Sequence, residues 1–131
     1  MIRCVRLWTG TDDASHVEVG RLDMERGRND DMVSSSVPVT SVTVEETASG
    51  GTLAWHTAPV RQLVVTLAGT LLFTTRDGEQ FRLSPGDVLL AEDTTGSGHQ
   101  WLLEGDDPWR RMYIVLGENA SVPFVADIGA D

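Results

Sequence analysis

GTLAWHTAPVRQLVVTLAG, residues 51–69, runs on into TLLFTTRDGEQFRLSPGDVLLAED, residues 70–93, and this stretch decides how the chain folds. Its apolar and β-branched residues come in short runs that stop at Gly, Pro or Asp, and none repeats with a helical period. Asp77-Gly78 between two such runs is the strongest short hairpin signal in the chain and implies a tight turn. Gly69 marks a corner, and Pro85-Gly86 a turn ahead of a strand over 88–91.

Outward from this stretch the pattern persists. IRCVRLW (2–8), SHVEVG (15–20), VPVTSVTVEE (37–46), TLAWHT (52–57) and RRMYIVLG (110–117) read as strands, and TTGSGHQWLL (94–103) as a loop entering another. Residues 21–36 are polar and turn-rich and read as a surface loop or arm, and the tail after 117 as half-ordered. The expectation is one all-β domain over 1–131, a sandwich or barrel of antiparallel strands, with N-terminal strands and arm (1–36), a core (37–116) and a tail (117–131).

Forty per cent apolar and 23% charged residues suit a globular chain able to bury one core. Twenty acidic against ten basic residues, all Arg, give a net charge of −10. That balance argues against nucleic acid, whose phosphates demand a basic surface, and against an anionic membrane face. Cys4 is the single cysteine, which excludes an intrachain disulfide and a cysteine–zinc cluster. The opening MIRCVRLWTG lacks the long apolar core of a signal peptide, and no apolar stretch approaches the ~20 residues of a membrane span, so a cytoplasmic location is expected.

Two segments carry a resemblance. Gly50 is followed by five residues and His56, then Ala58, Gln62 and, six residues on, Gly69; later, Ser84-Pro85-Gly86-Asp87 leads to a strand, a loop and His99. In this order and separation they resemble the two motifs of the cupins, small jelly-roll β-barrels. The resemblance covers roughly residues 37–116. It departs from the metal-binding pattern where Ala58 replaces the second His, Gln62 the Glu, and Leu103 the Asn. Cupins commonly pair through an added N-terminal strand, which implies a homodimer with residues 1–36 at its edge.

If the family register holds, His56, Gln62 and His99 converge in one hollow. Strand parity puts Ala54, His56 and Ala58 on one side, Gln62 with Val64, and His99 with Trp101 as the aromatic wall of a ligand site. By parity with Val42 and Val44, Glu46 rather than Glu45 is expected to face inward. Trp55 should point away, Trp8 and Trp109 offer no site argument, and His16 and Glu18 read as a solvated strand face.

Three uses of the hollow are open. His56, Gln62 and His99 could hold Zn, Fe, Ni or Cu, as in a dioxygenase, although two imidazoles and a neutral amide lack the charge that offsets a divalent cation. Without metal, His56 and His99 as base and acid, with Gln62 on a substrate oxygen, suit cyclisation, isomerisation or dehydration of a small organic molecule of aromatic or polyketide-like kind. A non-catalytic small-molecule binder is the third. Histidines satisfied within a sheet are the bland alternative, weakened by three polar groups where a barrel interior would carry Val and Leu.

Overall fold

The computed structural model describes residues 1–127. Its strands are β1 (Arg3–Thr9), β2 (Ser15–Leu22), β3 (Glu25–Arg26), β4 (Met32–Val33), β5 (Val39–Thr47), β6 (Thr52–His56), β7 (Gln62–Ala68), β8 (Thr70–Thr75), β9 (Gln80–Leu83), β10 (Val88–Glu92), β11 (His99–Glu104), β12 (Trp109–Leu116) and β13 (Phe124–Ala126). They form a seven-stranded sheet, β13-β2-β1-β10-β7-β12-β5, a four-stranded sheet, β6-β11-β8-β9, and the small β3-β4 pair. From β5 to β12 the chain crosses between the two large sheets at nearly every turn. Strands distant in sequence therefore become neighbours, and the architecture is a jelly roll.

Alternating residues turn their apolar side chains into the space between the sheets. Burial along β7 runs buried, half-buried, buried, and β8 shows the opposite phase. Val5, Leu7, Leu71, Phe73, Leu83 and Trp109 are among the side chains of this inner core. The Asp77-Gly78 hairpin forms between β8 and β9, with Gly78 at φ 87° and its N–H bonded to the Thr75 carbonyl at 3.0 Å.

The N-terminal segment adds strands to the large sheet, as expected, but β1 does so within the sheet and not at its edge. β1 lies inside the large sheet, antiparallel to β2 and parallel to β10, so the sheet is not wholly antiparallel and β1 presents no free edge for a second copy. Cys4 on β1 is fully buried, and burial pushes its thiol up to about 12. Residues 1–36 thus supply core strands as well as a polar arm, which holds the β3-β4 pair.

Over residues 117–127 the tail is also better organised than its composition suggests, and residues 128–131 of the expected half-ordered tail lie outside the described residues. Ala120, Val122 and Phe124 pack with Cys4, Val88, Leu90 and Leu116 on the outer face of the large sheet, and β13 pairs with β2. Arg61 ties this segment down: it bonds the Ala120 carbonyl and, with Arg6, the Glu92 carboxylate. Burial would raise that carboxyl, but the two guanidinium groups hold it below its ordinary value. Among the described residues no helix is long and apolar enough to cross a membrane.

Candidate functional site

Between the sheets, on the side where β5 and β6 form the edges, lies a cavity of about 470 Å³. His56, Ala58, Gln62, Val64, His99 and Trp101 all line it. The parity argument works on β7 and β11, where buried and less buried positions alternate regularly.

On β6 it needs amendment. The register pairs His99 with His56 but Trp101 with Leu53, so a bulge interrupts the alternation. Leu53 therefore lines the cavity with His56, while Ala54, expected inward, lines a shallow depression beyond it. Trp55 points away as expected, beneath the Arg76 guanidinium at 4.0 Å.

Glu46 is a correction. Thr43 and Glu45 are the β5 residues that line the cavity, and Glu46 lies outside, bonded to Arg110 at 2.7 Å. The inward parity was assigned from Val42 and Val44, yet these valines are 50% and 69% exposed. β5 is an edge strand with its apolar residues outward, so hydrophobicity points to the wrong face.

The electrostatic centre is a pair that sequence reasoning missed. His99, 4% exposed, donates from Nδ1 to Asp93 Oδ2 at 2.6 Å, and the Ser15 hydroxyl donates to the same oxygen at 2.7 Å. Asp93 is fully buried and its Oδ1 has no hydrogen-bond partner among the described residues. A buried carboxylate on Nδ1 sets the tautomer and leaves Nε2 as the lone-pair nitrogen of a ring that lines the cavity.

His56 is set the same way, by a 2.7 Å bond from Nδ1 to the Ala54 carbonyl. Its ring centroid is 4.4 Å from that of His99, at an interplanar angle of 61°. Burial is the main force holding His56 below the ordinary histidine pKa, and the neighbouring His99 acts in the same direction against Ala54 and Asp93. A neutral His56 offers an acceptor, not an acid.

Donors come from elsewhere. Tyr113 lines the cavity from β12, and its oxygen accepts from Arg111 Nε at 3.2 Å, leaving the phenolic hydrogen free to donate. Arg111 is itself buried, bonded to Thr47 and the Trp109 carbonyl and lying 3.9 Å over the Trp109 ring. Phe73, Trp101 and Trp109 form an aromatic wall, with the two tryptophans edge-to-face at 4.8 Å.

Parity could have found Asp93, since Leu89, Ala91 and Asp93 alternate along one face. Trp109, assigned no site, shares its parity with Tyr113.

The donor set for a metal is incomplete. His56 and His99 can offer two Nε2 atoms and Gln62 an amide oxygen. Among the described residues neither histidine belongs to a group of three His, Cys, Asp or Glu side chains whose ligand atoms all lie within 4.8 Å of one another. The group of three that meets this spacing, Asp12, His16 and Asp77, is on the surface. There His16 and Asp12 form an ion pair at 2.9 Å, and this hydrogen bond raises the His16 pKa. Glu18 pairs with Arg6 at 2.6 Å. The cavity thus does not fit the ion of a non-haem dioxygenase.

No family model matches the chain. Over 72 residues it is 36% identical to a formamidopyrimidine-DNA glycosylase of Synechocystis sp., a match that takes in 50% of this chain and spans 25% of that protein. Among solved structures it is similar to a conserved protein of unknown function from Streptococcus pyogenes, with 19% identity, a TM-score of 0.44 and 66% of this chain and 71% of that one covered. It is also similar to an uncharacterised conserved protein with a double-stranded β-helix domain from Klebsiella pneumoniae, with 22% identity, a TM-score of 0.48 and 79% and 86% covered. The jelly-roll assignment rests on the chain's own strand order.

Proposed function

We propose that this is a cupin-type enzyme that transfers a proton on a small, largely apolar organic substrate within the cavity. The observation that carries the reading is the buried Asp93–His99 pair beside His56. It supplies a base whose imidazolium form has a carboxylate waiting for it, the logic of a buttressed catalytic histidine.

The substrate's flat, conjugated part lies against Phe73, Trp101 and Trp109. His99 Nε2 removes a proton from a carbon next to a carbonyl, the C–H electron pair forms the C=C bond of an enolate, and the carbonyl π pair moves onto the oxygen. Tyr113 and the Gln62 amide N–H donate to that oxygen as charge develops. The imidazolium at His99, held by Asp93, returns the proton to another carbon in an isomerisation or to a departing hydroxyl in a dehydration. His56, kept neutral by burial, accepts a hydrogen bond from a substrate hydroxyl and orients it. Glu45 at the cavity and a lining without Arg favour an uncharged substrate.

The test is a panel of enolisable aromatic ketones incubated with the enzyme in D₂O and followed by NMR. Deuterium should enter the carbon next to the carbonyl with the wild type and not with His99→Ala. Equal incorporation by the two proteins would overturn the reading.

A further inference from the structure

The outer face of the large sheet carries apolar side chains on either side of the Arg6–Glu18–Glu92–Arg61 ion-pair cluster, and the chain covers only part of them. Behind β1, β2 and β10 the segment with Ala120, Val122 and Phe124 seals the surface. Beyond them, two cross-strand ladders continue the apolar face: Val65, Met112 and Val44, then Leu63, Ile114 and Val42. Val44 is 69% exposed, Leu67 51% and Val42 50%, on a sheet face where a solvated protein carries polar side chains.

We infer that this face, on β7, β12 and β5, packs against the same face of a second copy about a two-fold axis. Three observations favour a second copy. First, the face continues the apolar cluster under the C-terminal segment, since Leu63 and Val65 belong to both. Second, it is electrically quiet on a chain of net charge −10. Its flanking charges, Arg110 and Glu46, are closed on each other at 2.7 Å, and Arg61 is engaged by Glu92. Two acidic copies can approach here without like charges meeting, whereas a basic partner would be drawn to the acidic remainder of the surface.

Third, three strands of this length span about 30 Å by about 15 Å. That planar footprint, about 450 Å² before side-chain relief is added, is more than half of the roughly 800 Å² per partner of a standard interface. Aligned packing of two such sheet faces is ordinary sandwich geometry, and an isologous pair closes without propagating. The interface therefore lies on β7, β12 and β5 and not on β1 and β2. β5 links it to the cavity, with Val42 and Val44 facing the partner and Thr43 and Glu45 facing the site.

Light scattering after size exclusion tests the inference on the intact chain. The wild type should run at the mass of two chains at ~100 µM, and Val44→Glu with Met112→Glu at the mass of one, with unchanged far-ultraviolet circular dichroism. A second measurement needs no variant: a soluble paramagnetic agent should leave the Val42, Val44, Met112 and Ile114 methyl signals of the wild type unattenuated. A wild type of single-chain mass would overturn the proposal. So would a dimer that persists in a folded double variant, or whose Val44 and Ile114 methyls are attenuated as fully as those of Val33 and Ile2.

Discussion

Asp93 Oδ2 stands 2.6 Å from His99 Nδ1, and the Ser15 hydroxyl completes the approach to the same oxygen at 2.7 Å. Ser15, from the N-terminal β2, and His99, six residues beyond Asp93, meet at one carboxylate, buried in a sandwich whose interior is otherwise largely apolar. Such a carboxylate is costly to bury, and the imidazole and hydroxyl offset only part of that cost.

Replacing the carboxylate by an isosteric amide keeps the shape and removes the charge. Asp93→Asn should lower kcat on any substrate found by the deuterium assay by about 10³-fold or more while the protein stays folded. Nitrogen-15 NMR of the His99 ring should report the altered tautomer. An unchanged rate would remove Asp93 from the chemistry.

Tyr113→Phe deletes one hydroxyl at the cavity and leaves Arg111 its bonds to Thr47 and the Trp109 carbonyl. A donor that acts mainly on developing charge affects kcat more than KM. The expected loss in kcat is about 10²-fold, with KM changed only a few-fold. Steady-state kinetics on the same substrate separate the two.

The lowered pKa of His56 predicts the pH dependence of stability. Between its folded value and the ordinary histidine value the unfolded chain binds the extra proton, so stability rises with pH through that window and falls as pH drops from neutrality. His16, raised by its bond to Asp12, works in the opposite direction, but it is common to wild type and variant and cancels from the difference. Urea denaturation between about pH 7 and pH 5 should show a steeper loss for the wild type than for His56→Asn.

Gly98 permits the contact between the two histidine strands. Its φ is 75°, and a Cβ there would fall 2.3 Å from the His56 carbonyl oxygen. Gly98→Ala should cost about 2 kcal/mol or more and alter the nitrogen-15 shifts of both rings, measured by thermal melting and NMR.

Incomplete ligation predicts insensitivity to chelators. Turnover should survive dialysis against EDTA, and elemental analysis of untagged protein should find a transition metal well below one per chain. Loss of activity on dialysis, restored by one divalent metal, would contradict the reading of the donor set.

Strands and turns were legible because they rest on local chemistry. Asp77-Gly78 closes a hairpin whatever surrounds it, and the alternation of Gln62 and Val64 against Leu63 and Val65 assigns faces without knowledge of the partner sheet. His56 and His99 were legible for the same reason, being polar residues where the pattern calls for aliphatic ones. Glu46 was misread because parity tells which residues share a face but not which face is inside. On β5 the apolar side is outermost.

The order of residues alone determined that this chain is a set of short β-strands with turns at Asp77-Gly78 and Pro85-Gly86, and that on several strands one line of side chains is buried. These follow from φ/ψ preference and from the two-residue repeat of a strand, and the burial pattern holds on β7, β8, β9 and β11, whereas β10 is buried on both faces and β5 on neither. Tertiary structure alone decided that β1 enters the middle of the large sheet, that Ser15 and His99 meet at Asp93, and that Val42 and Val44 face outward. Each depends on which distant strands pair and in what register. A one-residue slip there turns every side chain over, and no local propensity records it.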